Sequence, residues 1–131
     1  YFRKGALLLT LSGIAGGGGV FLLADSIISW FFAPEFQNSA DILRILAMAI
    51  PLVFWGYLMT QSLVALDHNR IYLVITASGL LLNVLLNFWL IPDYGASGAA
   101  VATVITEALI PLSCFLMIIK YHFSHSPVNV A

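Results

Sequence analysis

The sequence predicts an all-α membrane protein with four transmembrane helices. Three observations carry that prediction. Hydrophobic residues make up 61% of the 131-residue chain, charged residues only 8%, and the mean hydropathy is +1.00. Soluble domains run near 45–50% apolar and about 25% charged. A globule of this length has too little interior to hide so much apolar surface. The apolar residues also fall into four long runs, and short polar turns separate three of them.

The four runs set the expected spans. A hydrocarbon core of about 30 Å takes about 20 helical residues. The expected spans are 5–24, 40–66, 71–91 and 98–120. They are apolar all round rather than along one stripe, which suits helices lying in lipid and packed on neighbours. Glu107 is the only charged residue from Gly98 to Ile119.

The connections follow from turn chemistry. Asp67-His68-Asn69-Arg70 reads as a short polar turn, and Pro92-Asp93-Tyr94-Gly95 as a reverse turn. The first connection, 25–39, is expected to be an interfacial loop. Trp30, Phe31 and Phe32 suit a membrane-interface belt, a short helix around 25–33 is expected in the headgroup zone, Pro34 interrupts it, and Ser39 can cap the next helix. Residues 1–121 then form the membrane segment, and 122–131 a loose cytoplasmic tail. If the runs alternate, Arg3, Lys4, Arg70 and Lys120 share one side, against Arg44 on the other. The positive-inside rule places both ends in the cytoplasm of an inner (cytoplasmic) membrane.

Other function classes find little support. The formal net charge is −1 with no basic block, so no nucleic-acid partner is expected. Cys114 is the one cysteine, which excludes an internal disulfide and leaves the redox compartment open. No metal-type cysteine/histidine cluster, P-loop or GxSxG is present, so neither an enzyme nor a cofactor is expected. His122 and His125 lack a third ligand and precede Pro127, so no metal site is expected there. The chain opens on Tyr1-Phe2-Arg3-Lys4 with no signal-peptide cleavage site in place. It is expected to be the C-terminal part of a longer polytopic protein.

Candidate functional residues are the polar and kink-forming groups within the runs. Glu107 lies nine residues into its run, about 13 Å deep at 1.5 Å per residue. A bare carboxylate there costs about 2.5–3.5 kcal/mol on insertion scales, so it must be neutral, paired or facing a wet cavity. It is either a proton- or cation-responsive coupling group or an acid tying two helices together. Asn83 and Asn87, spaced i, i+4, share one helix face and suit interhelical hydrogen bonding or cavity lining. Gln61, with Thr60 and Ser62, lies near the end of the second run and reads as interfacial or packing. Gly16, Gly17, Gly18 and Gly19 break the middle of the first run and suit a hinge. Gly13 and Gly17 form a GxxxG pair for close helix contact. Pro51 and Pro111 each free a backbone carbonyl and favour a kink. Gly98-Ala102-Thr106 and Gly95-Ala99-Thr103 are small-residue stripes suited to close packing.

An apolar helix with Asn83 and Asn87, followed by "LIPDYGASGAAVATVITE", resembles the polysaccharide and oligosaccharide-lipid flippases of the multidrug/oligosaccharidyl-lipid/polysaccharide exporter superfamily. The matching residues are Leu90, Ile91, Pro92, Gly95, Gly98, Ala99, Ala100, Thr103 and Glu107. "APEFQNSADILRILAMAIP" and "SLVALDHNRIYL" resemble the family's extracytoplasmic loop and short cytoplasmic turn. The resemblance implies part of a six-helix transporter lobe. Its implied partners are membrane lipid, the remaining helices of the parent transporter, a lipid-linked oligosaccharide substrate, and H+ or Na+ as coupling ion. It also implies basic cavity residues, and no Arg or Lys lies mid-membrane in the four runs. A cation-coupled multidrug exporter of the same superfamily and a non-transporting membrane scaffold subunit are the alternatives.

Overall fold

The computed structural model describes residues 2–124. It consists of three long helices and a short 3-10 turn. Helix α1 spans Phe2–Phe31, the 3-10 turn Pro34–Phe36, α2 Ser39–Ala65 and α3 Asn69–Ser124. Each long helix carries a stretch long and apolar enough to cross a membrane: Lys4–Phe31, Ser39–Ala65 and Asn69–Tyr121. The chain has the build of a multi-pass membrane protein.

The expectation of four transmembrane helices is corrected to three. Residues 71–91 and 98–120 are not separate elements. Both belong to α3, which runs for 56 residues. The Pro92–Gly95 segment does not interrupt it as a loop would. Within α3 only Gly95 leaves helical backbone angles, with φ 57° and ψ −135°. A left-handed φ strains residues that carry a Cβ, and glycine takes it without penalty. One residue therefore bends the helix, and no loop is needed.

The bend turns α3 back on itself. Asn83 and Thr106 are hydrogen-bonded at 3.1 Å. On a straight helix, 23 residues would hold them about 34 Å apart. The Ile110 side chain covers Gly79, Leu90 covers Gly98, and the rings of His68 and Tyr121 lie 4.2 Å apart. These pairs step in opposite directions, so the two arms of α3 are antiparallel.

Helices α1 and α2 are also antiparallel. Gly13 packs on Phe54, Gly17 on Ala47 and Pro51, and Asp25 pairs with Arg44. The stretch 25–31 continues α1, because nothing before Pro34 stops the helix. Helix α2 packs on the second arm of α3. Gly56 lies against Pro111, and the Trp55 and Phe115 rings are 6.4 Å apart. A small core of Ala24, Ile28 and Ala40, with Leu43 against it, closes one end of α1 and α2. Of the expected tail, 122–124 belongs to α3, and the remainder lies outside the described residues.

Candidate functional site: a polar ladder and an unpaired acid in α3

The bend at Gly95 brings the polar residues of α3 together. Asn87 Nδ2 donates to Asn83 Oδ1 at 2.9 Å, along one face of the first arm. Asn83 Nδ2 donates to Thr106 Oγ1 on the second arm at 3.1 Å. The Thr106 hydroxyl in turn lies 3.0 Å from the Ala102 carbonyl and 2.9 Å from that of Thr103. The result is a ladder of two amides and a hydroxyl ending on backbone. It is one donor short, since the buried Asn87 Oδ1 has no hydrogen-bond partner among the described residues.

The second arm reaches the first because its facing stripe is small. Gly98, Ala102 and Thr106 are all buried, whereas Ala99 and Thr103 on the neighbouring stripe are half-buried. A Cβ at Gly98 would sit 2.5 Å from the Leu90 carbonyl oxygen. Thr106 was legible in the sequence only as part of that small stripe. Its place in the ladder depends on how far the arms are offset, which the bend sets.

Glu107 stands apart from this ladder. It is half-buried and makes no hydrogen bond or ion pair among the described residues. It lies one turn from the buried Pro111, on the side of the arm that meets Gly56 of α2. It is also midway between Asp93 and Lys120 along the arm, roughly 20 Å from either at helical rise. Between Arg70 and Lys120 of α3 the one other charged residue is Asp93, at the bend. The structure thus separates an amide seam that lacks one donor from a lone carboxyl on another face.

The remaining candidates divide the same way. Gln61 is exposed near the end of α2, away from the ladder, while Thr60 and Ser62 bond to the carbonyls of Tyr57 and Leu58. In the glycine run only Gly17 is pressed against a neighbour. Gly16 is within ordinary contact of Ile50, and Gly18 and Gly19 face open space. Pro51 fits the notch made by Gly13 and Gly17, and Pro111 packs on Gly56, so both prolines are also contact residues. At one end of α1 and α2, Arg44 bridges Asp25 of α1 and Asp41 of α2, an interhelical pair that sequence spacing did not specify. Among the described residues no group of three His, Cys, Asp or Glu could hold a metal ion.

No protein-family model matches the chain, and no solved structure matches it. A protein described as a "probable low-salt glycan biosynthesis flippase", Agl15 of Haloferax volcanii, is 33% identical over 91 residues. The match covers 70% of this chain and 19% of that protein. The chain therefore spans about a fifth of the length of the curated relative it matches.

Proposed function

We propose that the chain is part of a flippase that carries a lipid-linked oligosaccharide or polysaccharide precursor across a membrane. The observation that carries this reading is the 33% identity to a glycan-biosynthesis flippase over 91 residues. The geometry fits transport rather than bond chemistry. It offers an apolar bundle with one polar seam and one carboxyl midway along the second arm of α3.

In this reading the parent protein works by alternating access, with two lobes rocking around a central cavity. The three helices form part of one wall, and the end bearing Lys4, Arg70 and Lys120 faces the cytoplasm. The ladder of Asn87, Asn83 and Thr106 locks the arms of α3 so that they move together. Glu107 is the candidate group for coupling to H+ or Na+, close to the α2 side of the second arm. Lipid-linked oligosaccharide and the coupling ion are its partners.

The experiment is Glu107→Gln in the complete protein, with transport of a lipid-linked oligosaccharide followed from pH 6 to 8 in vesicles. Glutamine keeps the shape and removes the acid. The expected outcome is slower translocation without pH dependence at normal expression. Normal transport across that range would leave Glu107 a structural group. A second reading, a cation-coupled exporter of small molecules, is favoured by one observation: Glu107, the charged group midway along the second arm of α3, is acidic. In that case Glu107→Gln would abolish export of organic cations and leave glycan-lipid movement untouched.

A further inference from the structure

Apart from Glu107, the charged residues of the helices fall at two levels. Lys4, Arg70 and Lys120 lie at one, with Asp67 beside them. Asp25, Asp41, Arg44 and Asp93 lie at the other. The antiparallel packing of α1 on α2, and of the α3 arms on each other, sets these levels. On α1, Lys4 and Asp25 are 21 residues apart, or about 31 Å at helical rise. The hydrocarbon core of a bilayer is about 30 Å thick. The two charge levels are therefore spaced as the two faces of the core.

Helix α1 does not stop at Asp25. It continues for six residues to Phe31, about 9 Å further. That extension and the following turn carry Trp30, Phe31, Phe32 and Phe36. Trp30 is 78% exposed and Phe31 76%. Within this group the one ring contact is between Phe32 and Phe36, at 6.1 Å. The bend of α3 brings Trp89 and Tyr94 to the same end, 77% and 66% exposed. Six large aromatic side chains thus gather at one end of the molecule, Trp89 about one turn to the core side of Asp93 and the others at or just beyond the acidic charge level.

We propose that this aromatic collar docks into the headgroup layer of one leaflet, and that α1 leaves the hydrocarbon core at Asp25. Three features select a lipid surface as the occupant. The headgroup zone extends about 5–7 Å beyond the core on each side, so Trp30 and Phe31, about 8 and 9 Å past Asp25 at helical rise, sit at its outer edge. Amphipathic Trp and Tyr rings gain from a boundary that is apolar below and wet above. The helix past Asp25 carries no charge to hold it in bulk water. Acids outnumber Arg44 at this end, so the collar suits zwitterionic headgroups and disfavours anionic ones.

Spin-label depth measurement tests the proposal on the protein reconstituted in phosphatidylcholine vesicles. Labels go on Ser29→Cys, beside the collar, and Ser12→Cys, about 20 Å from Asp25 along α1, with native cysteines replaced. Relative accessibility to oxygen and to a water-soluble nickel chelate gives each depth. The expected result is Ser29 at headgroup level and Ser12 within the core. A Ser29 label open to the chelate as in bulk water overturns the proposal and assigns the collar to a soluble partner or glycan. A Ser29 label as deep as Ser12 also overturns it, because α1 would then be submerged throughout.

Discussion

The seam between α1 and α2 and the seam inside α3 solve the same problem in different ways. Lipid tails are as apolar as leucine, so burial alone gives helices in a bilayer little reason to associate. The α1–α2 seam relies on close approach. Gly13 and Gly17 form a notch, the Pro51 ring fills it, and the interhelical ion pair sits beyond the notch at Asp25 and Arg44. The α3 seam adds hydrogen bonds within the membrane, through Asn87, Asn83 and Thr106. The first seam should be sensitive to added volume, and the second to both volume and lost polarity.

The largest effect is expected where the two arms of α3 are closest. A Cβ at Gly98 would meet the carbonyl oxygen and carbon of Leu90 at 2.5 and 2.7 Å. Both are backbone atoms beside the bend, so neither can swing aside. Gly98→Ala should cost about 3 kcal/mol, the upper end for overpacking. Equilibrium unfolding in mixed detergent measures it.

The α1–α2 seam should respond in the same direction but less. At Gly17 a Cβ would sit 2.8 Å from the Ala47 carbonyl oxygen and 2.9 Å from Pro51 Cδ. Two separate helices can part slightly, so Gly17→Ala should cost about 2 kcal/mol. Its neighbour Gly18 has nothing within 4 Å. There the better helix propensity of alanine acts alone, and Gly18→Ala should stabilise by up to about 1 kcal/mol. Opposite signs at adjacent glycines would separate packing from hinge action. Equal losses would restore the hinge.

These glycines also mark where sequence reading stopped. Composition and run length were enough to place the apolar helices, and GxxxG spacing singled out Gly13 and Gly17 before their partner was visible. The number of helices was not legible. Pro92-Asp93-Tyr94-Gly95 has the residues of a loop, yet backbone at Pro92, Asp93 and Tyr94 stays helical and Gly95 alone absorbs the reversal. The i, i+4 spacing placed Asn83 and Asn87 on one face. It could not select Thr106 over Thr103, because the choice depends on the offset of the arms. Glu107 shows the opposite limit. Its depth was readable, but its separation from the ladder is a matter of which side of the arm it occupies.

Within the ladder the two amides are unequal, and the α3 seam should reflect it. Asn83 donates to Thr106 and accepts from Asn87, so Asn83→Leu removes both bonds. Asn87 makes one bond and keeps a buried oxygen without a partner. Intramembrane hydrogen bonds average about 0.6 kcal/mol, so Asn83→Leu should cost roughly 1 kcal/mol. Asn87→Leu should cost less, because it also removes an unsatisfied acceptor. The same unfolding assay ranks them. A larger loss at Asn87 would mean that its free oxygen is bonded in the working protein.

The smallest effect is expected at the polar end of the α1–α2 seam. Arg44 Nη2 pairs with Asp25 Oδ2, and Arg44 Nη1 with Asp41 Oδ1 at 2.8 Å. Asp25 is about two-thirds exposed, so water and salt screen its charge. Exposed pairs contribute about 0.2–1 kcal/mol. Asp25→Asn also leaves Arg44 its second carboxylate, so no cation is stranded. A loss of about 0.5 kcal/mol is expected, shrinking further in high salt as screening shortens the reach of the charge. Gly17→Ala should keep its full cost in the same salt, because steric overlap does not screen. If Asp25→Asn instead cost as much as Gly17→Ala and ignored salt, the ion pair rather than the glycine notch would hold α1 on α2.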